Sequence, residues 1–208
     1  MDTDKHRWGM VRKAGKGLLV FAFFALAVSV WRSPTVIIKR YSLMERKGEE
    51  GEKNGQKMVA ELVRCGPSAV PVLVEEIKQG WWSRGRVYFP NALAEIGQSG
   101  KDALIAAIDT EKDAGKRVNL ITALHSGFQD YSRTDAMFEA CRSADAGDYM
   151  ISMGLESMFG RFAALEPDDL KSAPPLMVDK KLNEEFVDWW KTNGPIAVER
   201  LKVKFSRR

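Results

Sequence analysis

Histidine and cysteine are both scarce in this chain, two of each in 208 residues. His6 belongs to the N-terminal tail, so His125 has no second imidazole with which to share a metal or support a nucleophile–base pair. His125 falls where a helix is expected to end, which suits a capping or solvated side chain. Cys65 and Cys141 form no CxxC motif, and two thiols are too few for a disulfide framework. Both are expected to be small buried hydrophobes. Also missing are a GxxxxGK[ST] phosphate loop, a GxGxxG fingerprint and an HExxH pair. Adjacent acids occur at Glu75-Glu76, Asp168-Asp169 and Glu184-Glu185. Neighbours on a helix point in different directions and make poor catalytic pairs. Asp168-Asp169 follows Pro167 and suits a helix start, where carboxylates complement the dipole. These absences leave no catalytic residue, cofactor or metal ligand to name, and no small-molecule substrate is evident.

A one-sided charge is missing too. The formal net charge of +4 divides unevenly: residues 1–40 hold eight Lys/Arg against Asp2 and Asp4, and residues 41–208 hold 24 Lys/Arg against 26 Asp/Glu. The excess of cations belongs to the N-terminal segment, so the remainder has no overall electrostatic case for nucleic acid. A 45% hydrophobic and 29% charged composition is that of a globular chain.

What is present begins with Gly17 to Trp31, an uncharged run between Lys16 and Arg32, preceded by a basic tail of residues 1–16. This is the layout of an export signal or signal anchor. Fifteen helical residues reach about 22 Å, short of a ~30 Å hydrocarbon core, and snorkelling by Lys16 and Arg32 with Trp31 at the interface makes up the difference. Ala25-Leu26-Ala27 also fits a signal-peptide cleavage site. The retained anchor is the favoured reading: a single-pass inner-membrane protein, N-terminus inside, with the rest on the periplasmic side. Secretion after cleavage is the alternative. Residues 32–55 are expected to be a solvated linker, helical in part, with Pro34 breaking the preceding helix, Val36-Ile37-Ile38 as a short apolar contact, and a charged Gly-containing stretch after it.

From residue 56 to 165 the pattern is helical pairs. Leu62, Leu93, Leu124 and Leu155 recur every 31 residues, and Gly66 and Gly97 keep the same period. Apolar positions at helical spacing mark Met58–Val63, Val70–Ile77, Val87–Ile96, Gly100–Ile108, Val118–Leu124 and Ala136–Ala140, with a longer fourth helix over Tyr149–Leu165. The third and fourth copies lose the glycine register, Gly127 standing one place early and Gly160 one place late.

Gly66-Pro67-Ser68-Ala69-Val70-Pro71-Val72-Leu73, and Ala92-Leu93-Ala94-Glu95-Ile96-Gly97 followed by Ala103-Leu104-Ile105, resemble the short HEAT-like repeats of the phycobilisome-lyase type. The resemblance covers about a third of the chain. It implies an all-α, α-α superhelical stack that binds other proteins, and it transfers no catalytic residue. Some such proteins attach chromophores, so a lyase-like or chaperone-lyase enzyme is the alternative function. In such a stack Cys65 and Cys141 belong to the first and third repeats, too far apart to bond.

Residues 166–208 are expected to cap the stack. Phe186, Val187, Trp189 and Trp190 give Lys180–Asn193 an amphipathic helix similar to the tryptophan-bearing helix that ends many HEAT-like proteins, with Gly194-Pro195 as its stop. The loop Gly80-Trp81-Trp82-Ser83-Arg84-Gly85-Arg86-Val87-Tyr88-Phe89-Pro90 is longer and more aromatic than a solenoid turn requires. Trp and Arg are frequent interface anchors, which nominates Trp81, Trp82, Arg84 and Arg86 for an unknown protein partner. Packing of both tryptophans over the first two repeats is the plainer alternative. The sequence therefore describes a membrane-tethered scaffold for protein–protein interaction.

Overall fold

The computed structural model describes residues 29–43, 49–80, 86–143, 154–155, 158–159, 173–179 and 181–206. Residues 1–28, most of the expected anchor, lie outside them, as do Trp81, Trp82 and Arg84 and most of 149–165. Among the described residues no helix is long and apolar enough to cross a membrane.

The fold is all-α. The helices are α1 (Pro34–Leu43), α2 (Glu49–Cys65), α3 (Val70–Lys78), α4 (Phe89–Ile96), α5 (Gln98–Thr110), α6 (Ala114–Phe128), α7 (Thr134–Ser143) and α8 (Glu184–Ser206). One antiparallel hairpin, β1 (Met177–Val178) with β2 (Lys181–Leu182), pairs Met177 with Leu182 before α8.

Local chemistry sets the helix ends. Glu49, Glu50 and Glu52 occupy the first turn of α2 and Arg64 its last, both in favour of the dipole. Gly66 (φ +60°) and Gly97 (φ +92°) take left-handed backbone after α2 and α4, a conformation that costs glycine nothing. The Gly97 N–H then reaches the Leu93 and Ala94 carbonyls at 3.1 Å. Asp113 caps α6, its Oδ1 accepting the Lys116 N–H at 2.9 Å.

Packing follows the pairs. α4 lies between α2 and α6, α3 packs on α5, and α7 packs on α6. The four periodic leucines, Leu62, Leu93, Leu124 and Leu155, are all fully buried. Each such burial contributes about 1.5–3 kcal/mol. α6 is enclosed by α3, α4, α5 and α7, and Val118 to His125 are eight consecutive buried residues. A helix apolar on one stripe sits at a surface, whereas one buried all round is a core element. Its polar members find partners: Thr122 donates to the Val118 carbonyl at 2.8 Å, and Asn119 Nδ2 donates to the Lys78 carbonyl at 3.2 Å, tying α6 to the end of α3.

Three local expectations change. The linker is more folded than expected: α1 packs on α2 and buries Ile37 and Ile38, and α2 itself starts at Glu49 rather than 56. The third copy has a different helix end. Gln129 (φ +50°) takes the left-handed position, its N–H bonded to the His125 carbonyl at 2.8 Å. Gly127 lies inside α6, where a Cβ would stand 2.5 Å from the Pro90 carbonyl oxygen, so it permits close approach of α4 instead of capping. Finally, Gly194-Pro195 does not stop α8, which continues to Ser206. Pro195 is exposed, and its missing N–H leaves the Lys191 carbonyl without its helical donor.

Candidate functional site

The chain reverses between α6 and α7 through a corner built on one aspartate. Asp130 Oδ1 accepts the Ser132 N–H at 2.7 Å, an Asx turn. The Tyr131 carbonyl accepts both the N–H of Thr134 (3.2 Å) and its hydroxyl (2.7 Å), starting α7. From α5, the Lys101 ammonium reaches Asp130 Oδ2 at 2.7 Å. Burial would raise the Asp130 carboxyl, but the Lys101 ammonium and the Ser132 donors outweigh it and hold it below its ordinary range. The corner therefore keeps a poorly exposed, ionised carboxylate at neutral pH.

α8 crosses beside this corner. Its Trp190 ring lies 6.0 Å from that of Tyr131, centre to centre, and 4.8 Å from that of Phe159 in a T-shaped arrangement. Phe186 completes the cluster, 5.2 Å from Phe159 and 6.4 Å from Phe138. The Trp190 ring folds so closely over its own helix that a Cβ at Gly194 would meet it at 2.7 Å. Arg142 of α7 holds the start of α8 through a two-pronged pair with Glu184 at 2.8 and 2.6 Å. Between corner and helix runs an open groove of about 710 Å³, lined by Phe128, Tyr131, Trp190, Pro195 and Val198, with Lys101, Asp130 and Glu199 supplying charge. Phe128, Tyr131 and Trp190 give its lining an aromatic share and Lys101, Asp130 and Glu199 a charged one, a pattern suited to taking up a side chain of a partner.

His125 stands behind Tyr131. It is 2% exposed, its Nε2 is hydrogen-bonded to the Tyr131 hydroxyl, and the ring centres lie 4.3 Å apart. Its side chain is thus neither solvated nor a cap, because Tyr131 gives it a partner inside the core; only its carbonyl serves the helix end.

The thiols are half-buried, less covered than expected, since each sits on a helix flank and not on its core stripe. Burial pushes Cys141 up to about 12, and Arg142 counters it only in part. Burial and then the Glu61 charge raise Cys65, whose S–H lies 3.3 Å from the Arg32 carbonyl and 3.4 Å from that of Glu61. Among the described residues no group of three or more His, Cys, Asp or Glu could hold a metal ion.

Of the residues nominated from sequence, Trp81, Trp82 and Arg84 lie outside the described residues, and Arg86 opens a short 3₁₀ turn, Arg86–Tyr88, that leads into α4. Tyr88 fixes that turn on α2, where its ring covers Gly55 so closely that a Cβ there would stand 2.1 Å away. The groove residues went unnominated, although Asp130 followed two places later by Ser132 is an Asx-turn signal. No protein-family model, no curated protein and no solved structure matches the chain.

Proposed function

We propose that the chain is a membrane-tethered, short HEAT-like helical scaffold that binds a protein partner and performs no bond chemistry. The groove between the α6–α7 corner and α8 carries this reading: aromatic side chains in its lining, an ionised Asp130 and about 710 Å³ of open volume suit side-chain recognition. The repeat architecture is supported by four fully buried leucines at one period, by left-handed glycines after α2 and α4, and by the pairing of successive helices. α6 adds a feature that a purely nearest-neighbour stack lacks, contact with α3 as well as with α4, α5 and α7.

The lyase-like alternative needs an activated nucleophile, and both thiols are shifted away from the thiolate. Trp81, Trp82, Arg84 and Arg86 remain the proposed second contact region, and residues 17–31 the proposed anchor. A photo-crosslinking residue at Val198, in the groove, and another at Lys53, on exposed α2, test the assignment in the native membrane. A discrete protein adduct is expected from Val198 and not from Lys53. Equal labelling at both, or none at Val198, overturns the groove as the binding surface.

A further inference from the structure

The junction between the apolar run and the helical body is short and tied down. Arg32 and Ser33 alone separate Trp31 from α1. The Ser33 N–H bonds to the Val30 carbonyl at 3.1 Å, and the Ile37 N–H to that of Ser33 at 3.0 Å, so backbone hydrogen bonding carries across the junction. α1 is then fastened to α2. Ile37 and Ile38 are buried, Arg40 forms an ion pair with Glu61, and the Tyr41 hydroxyl donates to the same carboxylate at 2.8 Å. The Cys65 S–H meets the Arg32 carbonyl at 3.3 Å, which brings the end of α2 beside the junction. Chain direction follows: Arg32 lies against Cys65 and Arg40 against Glu61, so α1 runs back along α2.

The outer side of this junction has a distinct character. Val30 and Trp31 are 57% and 60% exposed, and the Arg40 guanidinium lies 5.4 Å from the centre of the Trp31 ring. Arg32, next to Trp31, Lys39, next to Arg40, and Arg64, next to Cys65, are all exposed, and none of the three forms an ion pair among the described residues. Glu61, the acid packed nearest, is already engaged by Arg40 and Tyr41. An exposed indole stacked by a cation and placed where an apolar run ends, with exposed cations on the adjoining stretches of α1 and α2, has the chemistry of a bilayer interface.

We propose that Trp31, Arg32, Lys39 and Arg64 form a docking surface for anionic phospholipid headgroups, and that the α1–α2 clamp holds the helical body on the bilayer in one orientation. The proposal rests on reading residues 17–31 as a membrane segment. It makes α1 a rigid bracket in place of a flexible tether.

The full chain, with native cysteines, is reconstituted into phosphatidylcholine vesicles with or without phosphatidylglycerol. A benzoylphenylalanine replaces either Ser68, exposed just beyond Cys65, or Lys53, about 18 Å back along α2 from Cys65. Crosslinking to radiolabelled phosphatidylglycerol is expected to be several-fold stronger from position 68 than from 53. It should fall roughly fivefold for each of Arg32→Gln, Lys39→Gln and Arg64→Gln, with helical circular dichroism unchanged. Equal crosslinking from 68 and 53, or no effect of the charge changes, overturns the docking surface. Failure of the chain to sediment with phosphatidylcholine vesicles after an alkaline wash instead overturns the membrane reading beneath it, so the two failures are distinguishable.

Discussion

Gly115 and Gly127 offer one substitution with two opposite outcomes on the same helix. A Cβ at Gly115, in the first turn of α6, would meet only Asp113 Oδ1 at 3.5 Å, an ordinary contact. Gly115→Ala should therefore stabilise the fold by up to about 1 kcal/mol, because alanine narrows the unfolded ensemble and favours helix. At Gly127 the same Cβ would stand 2.5 Å from the Pro90 carbonyl oxygen and 3.0 Å from its carbon. Those atoms are backbone at the start of α4 and cannot swing aside like a side chain. Overpacking of this kind costs about 1–3 kcal/mol, against the same helix gain of up to about 1 kcal/mol. Gly127→Ala should thus lie about 1–3 kcal/mol below Gly115→Ala, or about 2–4 °C in Tm per kcal/mol for a chain of this size. Urea unfolding of the detergent-solubilised chain, followed by circular dichroism, measures both. If Gly127→Ala proves as stable as Gly115→Ala, the close α4–α6 approach is not what keeps a glycine there.

Two further outcomes follow from the C-terminal packing. Trp190→Ala removes a ring that is 7% exposed and touches Tyr131, Phe159 and Phe186, so it should cost about 3–5 kcal/mol in urea unfolding, while Trp189→Ala, half-buried beside it, should cost clearly less; equal losses would mean that Trp190 does not close the core. Cys141, pushed up to about 12, should label with a maleimide at neutral pH roughly a thousandfold more slowly than an unperturbed thiol, and urea should restore the ordinary rate; rapid labelling of the folded chain would revive the enzyme reading.

Periodicity made the first two helical pairs legible because their ends are set locally. Gly66 and Gly97 both adopt the left-handed backbone that the sequence pattern asks of them, and Leu62, Leu93, Leu124 and Leu155 are buried as their spacing implies. The third copy was harder to read, since Gly127 answers to Pro90, a residue 37 positions away in the chain, and the turn falls to Gln129. The extent of α1 was hidden for a similar reason: Ile37 and Ile38 are a short apolar patch until α2 arrives to cover them. Pro195 looked like a stop because proline removes a donor, yet the helix runs on to Ser206 with the Trp190 ring packed over the turn at Gly194. The groove was the least legible feature. Lys101, Asp130, Tyr131 and Trp190 come from three separate parts of the chain, and only tertiary packing makes them neighbours.

The enclosure of α6 also bears on how the chain comes apart and assembles. In a linear array, terminal units can fray while the others persist. Here α3, α4, α5 and α7 each cover part of one central helix, so loss of any of them bares α6 and undermines the rest. Cooperativity is then a property of the whole body, and the amides of Val118–His125 exchange with solvent only when it opens globally. A chain that emerges in order, from a ribosome or a translocation pore, offers α6 no cover on one side until α7 has followed.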